Sequence, residues 1–417
     1  MAGAVDVLRY ASVRRYLLST TLSSGAQMLL VTGLFKQVYD LTGDPLDIGL
    51  IGLAQFLPSL VLVLVSGMVA DRFDRRRVVA IFMLGRALCA ALLVAYTVSD
   101  STSVWPLFAI ATLLGSVDAM IAPAHRSMPP LVAPAGLLPR VVGMWTATFT
   151  AAMIIGPALG GFLYSIDNSL PYVVAGIVFV VATVPVLMIQ YQRAAVPMRD
   201  RPTLRLALEG LHFIRRTPVV LAAISLDLFA VLFGGAVALI PAVAEDRLGV
   251  GDVAYGWLRA APGIGAGLMA IVLAVWPVRR RVGPTLIAVV AMFGLGTIVF
   301  GVTHSYAVAF IALVVLSGAD MVSMYIRGSL VPLVTPDDQL GRVTSVEGVF
   351  IGASNELGAF ESGVAASLFG VPFAIAAGGV ATVIIAGAYF VLFPSLRRID
   401  TFEELEQPAP TVVGSGS

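Results

Sequence analysis

The sequence predicts an all-α integral membrane protein of twelve transmembrane helices arranged as two six-helix repeats. Three observations lead there: the shortage of charge, the spacing of the apolar runs, and a register in which the second half echoes the first. Of the 417 residues, 58% are hydrophobic and 12% are charged, and the mean hydropathy is +0.94, whereas soluble domains carry charge at about 25% of positions. Too few polar side chains exist to clothe a soluble surface. The single cysteine, Cys89, lies inside an apolar run, so neither a disulfide framework nor a cysteine metal site can be built. Residues 1–15 lack the apolar core of a cleavable leader, and the chain is read as mature and multi-spanning.

A bilayer core of about 30 Å needs roughly 20 apolar residues per helix. Runs of that kind fall at 16–38, 46–69, 78–98, 103–124, 141–164, 170–190, 218–242, 252–276, 283–302, 306–327, 343–368 and 371–394. The longest polar interruption divides them into two sets of six. It contains Leu204, Leu208, Leu211 and Phe213 alternating with Arg205, Glu209, Arg215 and Arg216, the pattern of a helix lying in the membrane interface. The expected organisation is a six-helix half over 1–190, a linker with its interfacial helix over 191–217, a second half over 218–396 and a disordered tail over 397–417.

Basic residues are retained on the cytoplasmic side during insertion. With the N-terminus inside, all 26 lysines and arginines fall on the cytoplasmic face except Lys36 and Arg247, which lie outside, and Arg86 and Arg259, which lie within spans. Both termini are then cytoplasmic, in the inner or plasma membrane.

The halves repeat. At a shift of 202 residues Asp118 aligns with Asp320, Pro130-Leu131-Val132 with Pro332-Leu333-Val334, Arg140 with Arg342, and Gly156 and Gly161 with Gly358 and Gly363. At 204 residues Gly52 aligns with Gly256, Pro58 with Pro262, and Arg75-Arg76-Arg77-Val78 with Arg279-Arg280-Arg281-Val282. An even number of spans per half gives both repeats one orientation, related by an axis along the membrane normal, which is a transporter design.

Two motifs carry a resemblance. The loop after the second span holds Gly67, Asp71, Arg72, Arg75 and Arg76. This spacing resembles motif A of the major facilitator superfamily, with Asp74 where glycine is usual. The resemblance implies that these residues latch the cytoplasmic ends of helices across the halves, aided by helix-terminus dipoles. In the fifth span Gly143, Ala152, Gly156, Pro157, Gly160 and Gly161 resemble motif C of the drug:proton antiporter branch, with Ala152 replacing one glycine. Small residues at that spacing let helices approach closely, and Pro157 removes a backbone donor. The stretches Ser354–Gly363, Leu226–Phe229 and Gly234-Gly235 resemble the enterobactin-exporter-like and macrolide-efflux-like branch. A tilt toward export follows from that resemblance.

Ionisable residues within spans are the functional candidates, because a carboxyl there needs a partner or a proton. Asp227 and Glu356 lie near the middle of their spans, and Glu361 lies further out with Arg259 as an available partner. These three are the proton-coupling candidates, with fixed ion pairing as the alternative for each. Many antiporters of the superfamily use an arginine in the fourth span, which this sequence lacks. Asp118 and Asp320, one to two turns from Arg126 and Arg327, read as paired gate elements. His125, His212 and His304 are assigned to loops.

The resemblance implies a cavity lined by the first, fourth, seventh and tenth spans, with Gln27, Lys36, Phe229, Phe233, Met321 and Tyr325 as contacts, suited to a bulky amphipathic solute. No metal site, cofactor, nucleic-acid partner or enzyme nucleophile is indicated. The expected protein is a monomeric, proton-coupled exporter of a moderately large organic solute such as a drug or siderophore, in contact with protons, substrate and membrane lipid. The alternatives are an importer or metal transporter of the same fold, or a non-transporting membrane scaffold.

Overall fold

The computed structural model describes residues 6–99, 101–190 and 204–405. Each apolar run forms a long helix, and no strand occurs among the described residues. The first half contains α1 (Ala11–Thr42), α2 (Pro45–Arg72), α3 (Arg75–Val98), α4 (Trp105–Arg126), α5 (Leu138–Tyr164) and α6 (Leu170–Leu187). The second contains α7 (Pro218–Phe233), α8 (Asp252–Val275), α9 (Val282–Val302), α10 (Tyr306–Val334), α11 (Asp337–Phe369) and α12 (Val371–Leu392). Several outrun the hydrocarbon: α1, with 32 residues, is about 48 Å long. Eleven segments among the described residues are long and apolar enough to cross a membrane. The remaining long helix is α11, whose Glu347, Glu356 and Glu361 dilute its apolar character.

The duplication seen in the sequence is present in space. In the first half α1 packs on α5, α2 on α4 and α3 on α6; in the second, α7 packs on α11, α8 on α10 and α9 on α12. Each half therefore buries its own core, and the halves touch along two seams, α5 with α8 and α2 with α11. Glycine makes both seams possible. A Cβ on Gly161 would stand 2.6 Å from the Gly256 Cα, and one on Gly49 would stand 2.9 Å from the Phe360 Cα. Gly363, the repeat counterpart of Gly161, approaches the backbone of Pro45 and Gly49 in the second seam. One half carries Gly161 to its seam and the other half carries Gly363 to the other.

Both seams crowd toward the face opposite the chain termini, called the far face below. Nearer the terminal face on the same seam helices, nothing lies within 4 Å of a Cβ built on Gly67, Gly143, Gly341 or Gly348.

Two local features differ from the sequence reading. The seventh span, expected as one run, breaks after Phe233 into tight turns at Gly235–Leu239 and Ile240–Ala242 and a wide π turn at Val243–Arg247. A Cβ on Gly235 would lie 2.4 Å from the Gly358 carbonyl oxygen, so α11 can close on this break only against glycine. Residues 397–405, expected to begin a disordered tail, are instead docked. Ile399 is buried, Phe402 packs edge-on against Tyr325, and the Val282 and Gly283 amides donate to the Asp400 and Ile399 carbonyls at 3.1 Å. Residues 406–417, and the 191–203 part of the linker, lie outside the described residues. The linker helix forms as expected, over Leu204–Arg216, and rests on the start of α11 through a 2.8 Å pair between Arg342 and Glu209, with Ile214 buried.

The amide of Arg281, and then the Arg280 side chain at 3.2 Å, hold the Asp400 carboxyl below the usual carboxylate range. A depressed folded-state pKa means that this bond is in place above the ordinary aspartate pKa and is lost only as pH falls through the lower folded value. Asp400→Asn removes the charge at every pH. It should speed hydrogen exchange at the Val282 and Gly283 amides while leaving the α9 interior protected, and unchanged exchange would disprove the docking role.

Candidate functional site

Charges inside the helical bundle gather in three places, each built from different helices. At the far face, Lys36 projects from α1 with its side chain 8% exposed. Its ammonium contacts Asp40 one turn on, reaches Glu245 of the π turn at 2.9 Å and faces Asp252 of α8 at 3.5 Å. Around it Tyr39 donates to Asp246, Tyr164 donates to Asp40 at 2.9 Å, and Tyr255 donates to the Thr32 carbonyl at 3.0 Å. One lysine thus ties the first half to two elements of the second. The wide turn at 243–247 is what brings Glu245 and Asp246 inward, a consequence of the broken seventh span that the apolar pattern does not reveal.

In the first half Asp118 of α4 accepts from Arg86 of α3 at 2.6 Å and from Gln27 of α1 at 2.9 Å. Arg126, the expected partner one to two turns along the same helix, is not the one chosen. Gln27, a cavity candidate, is thereby tied to Asp118. His125, assigned to a loop from the sequence, sits in the last turn of α4. Its Nε2 lies 3.1 Å from Thr20 Oγ1, and its ring lies between those of Tyr16 and Trp145. The helix runs on past Pro123 to Arg126, which is why the loop assignment fails.

In the second half Arg327 of α10 is 4% exposed and pairs with Asp227 of α7 at 2.7 Å, with Glu347 of α11 at 3.8 Å on its other side. Arg327 was expected to serve Asp320 on its own helix; it serves Asp227 instead, because Asp227 and Arg327 face each other across the α7–α10 contact. Among the described residues Asp320 makes no hydrogen bond or ion pair and lines a small cavity with Asp227 and Ser323.

Glu356 stands apart from all three. It lies in the α2–α11 seam, its Oε2 only 3.0 Å from where a Cβ on Gly52 would stand, and among the described residues no cation or hydrogen-bond donor meets it. Glu361 is exposed on the same helix. Arg259 does not pair with it, but stacks over the Phe35 ring at 5.1 Å and donates to the Val237 carbonyl at 3.5 Å. Of the other cavity candidates, Met321 and Tyr325 pack against the core of the second half, and Phe229 is 40% exposed. No group of three or more histidine, cysteine or carboxylate side chains that could hold a metal occurs among the described residues.

The chain matches the family model of the Major Facilitator Superfamily over residues 16–345. It belongs to this superfamily. The uncharacterized MFS-type transporter YfiS of Bacillus subtilis is 30% identical over 68% of this chain and 67% of its own length. The multidrug efflux pump Tap of Mycolicibacterium fortuitum is 26% identical, covering 86% and 90% respectively. The enterobactin exporter EntS of Escherichia coli is 25% identical, covering 85% and 84%. The fold agrees with solved transporters. A bacterial homolog of the human lysosomal transporter Spinster, in an inward-facing and unoccupied conformation, superposes with a TM-score of 0.72 at 15% identity, covering 95% of this chain and 98% of that one.

In this major facilitator chain the two motif stretches meet different neighbours. Asp74, standing in the usual glycine position of motif A, has extended backbone angles open to any residue and caps α3 by accepting from the Arg76 amide at 2.9 Å. Arg76 pairs with Asp74 at 2.8 Å and donates to the Ile189 carbonyl at 2.5 Å, and Arg75 reaches the Ser127 carbonyl at 3.4 Å. The side chain of Asp71 lies outside the described residues. In motif C, Gly156 and Gly160 press α5 onto α1, Pro157 and Gly161 press it onto α8, and Gly143 stands in open space.

Lys36 is the cation on which the far-face contacts converge. Lys36→Met leaves Asp40, Glu245 and Asp252 facing one another without it, and like charges repel most where water is scarce. In a Cys89→Ser background, a reporter cysteine at Thr32, buried beneath this group, should be labelled several-fold faster by a membrane-impermeant maleimide in Lys36→Met than with lysine present. Equal rates would mean that the lysine does not hold the far face shut.

Proposed function

We propose that this transporter is a proton-coupled exporter of a moderately large organic solute, working by alternating access as its two halves rock about the seams. Both termini face the cytoplasm in this reading, since the terminal face carries nearly all the arginines, and the chain acts as a monomer in the plasma or inner membrane. The far face is then the outer side, held shut by Lys36, and the open terminal side admits solute from the cytoplasm. Export is supported by motif C and by kinship with Tap and EntS, one a multidrug efflux pump and the other an enterobactin exporter.

The observation that carries proton coupling is Glu356. A carboxyl without a counter-charge, placed in the seam where the two halves meet, changes its surroundings when that seam opens. It favours a proton when enclosed and releases it when wetted. Such differential binding between two states is what lets an ion gradient drive a conformational cycle.

The test uses proteoliposomes with an imposed pH gradient and a panel of dyes, macrolides and catecholate siderophores. Binders are selected first by the rise in unfolding temperature that a ligand of the folded state produces. With the wild type, a selected compound should accumulate against its gradient only when the pH gradient is present. Glu356→Gln should keep the thermal shift but lose that dependence, and dependence surviving unchanged would remove Glu356 from the proposed cycle.

A further inference from the structure

The two halves treat the same aspartate differently. Asp118 has both carboxylate oxygens occupied, by Arg86 and by Gln27. Its counterpart Asp320 is fixed by the 202-residue register. The residues before Val78 follow the 204-residue register instead, and extended along α3 and back along α1 it carries Arg86 onto Val290 and Gln27 onto Val231. Both valines wall the cavity that Asp320 enters. The second half has thus kept the acid and replaced its cation and its amide by apolar side chains. The cavity, of about 10 Å³, is near the least that holds one water molecule.

The groups facing Asp320 define what this space can hold. From α7 comes Asp227, already bound to Arg327; from α10 come Arg327 and Ser323, whose Oγ accepts from Arg327 Nε at 3.3 Å; from α11 comes Glu347. The α9 wall is Val289, Val290 and Phe293. Asp227 and Glu347 therefore already share the one guanidinium, and Asp320 stands beside them with no ion pair of its own. A second buried negative charge beside Asp227, with no cation of its own, would carry an uncompensated desolvation penalty, and a neutral carboxyl avoids it.

We propose that this cavity is a proton-holding site, with Asp320 as the protonated group, separate from Glu356 and formed by the loss of the arginine that neutralises Asp118. The proton resides on a carboxyl oxygen of Asp320 and leaves to water when the cavity opens. Arg327 sets when that happens. It lies between Asp227 of α7 and Glu347 of α11, so movement of α11, the helix that forms the seam with α2, alters how much positive charge Asp320 feels. As a step in transport this rests on the proton-coupled reading above; as a property of the protein it does not.

Infrared spectroscopy of the purified protein in liposomes, without solute, tests it. At neutral pH the wild type should show the carbonyl stretch of protonated carboxyls, with a component that shifts when aspartate carboxyls are isotopically labelled. Asp320→Asn should remove that component, Asp320→Glu should restore a displaced one, and Glu356→Gln should leave it in place. An Asp320→Asn spectrum that keeps the component, or a wild-type spectrum indifferent to aspartate labelling, overturns the proposal; the labelling result stands even if the asparagine variant folds poorly. Replacing choline by sodium in the buffer must leave the component unchanged. Its loss in sodium would assign the cavity to a metal cation instead. If the labelled component is present but pH-driven transport is absent, the proton site stands and the coupling reading falls.

Discussion

Hydrocarbon offers a charged side chain neither water nor counter-ions, and the internal architecture of this transporter follows from how each ionisable group meets that shortage. Three solutions are visible. Asp118 is met by Arg86 and Gln27 from two other helices. Asp227 and Glu347 share Arg327. Lys36 gathers Asp40, Glu245 and Asp252 at the far face, where the pairs also join the halves. Glu356 and Asp320 fit none of these: among the described residues no cation pairs with either. The two halves thus differ: Asp118 is neutralised within the first, while Asp320 and Glu356, the carboxylates left without a cation, lie in the second.

The second constraint is steric. The two halves approach closely at their seams because Gly49, Gly161, Gly256 and Gly363 lack the side chains that would hold the backbones apart. Gly161 and Gly363 are repeat counterparts, so a single ancestral small position supplies both seams. The break after Phe233 belongs to the same scheme. Gly234-Gly235 lets α11 approach, and the wide turn that follows carries Glu245 and Asp246 to Lys36, so a packing device also positions an electrostatic one.

Much of this was legible before the fold was known. Twelve apolar runs became helical segments, the seventh broken after Phe233, the registers of 202 and 204 residues reappear as equivalent helix pairings in each half, and Asp118, Asp227, Asp320, Glu356 and Glu361 stood out as candidates while Glu347 did not. The pairing scheme was not legible. Asp118 was matched with Arg126 and Asp320 with Arg327 because those arginines lie one or two turns along the same helix, yet both acids sit where partners come from neighbouring helices. Arg86 reads in the sequence only as a basic residue within a span, and His125 reads as a loop residue.

The sequence by itself determined the class of protein, its duplication and the inventory of charges it must accommodate, because hydropathy, repeat register and residue type are properties of short stretches. Only the tertiary structure decided which charge meets which, which carboxylates are left without a partner, and that the halves close at the far face. Those outcomes depend on how each helix is rotated about its axis and how closely two backbones cross. A rotation of one residue, about 100°, would hand Arg327 to a different acid without changing the hydropathy of either helix.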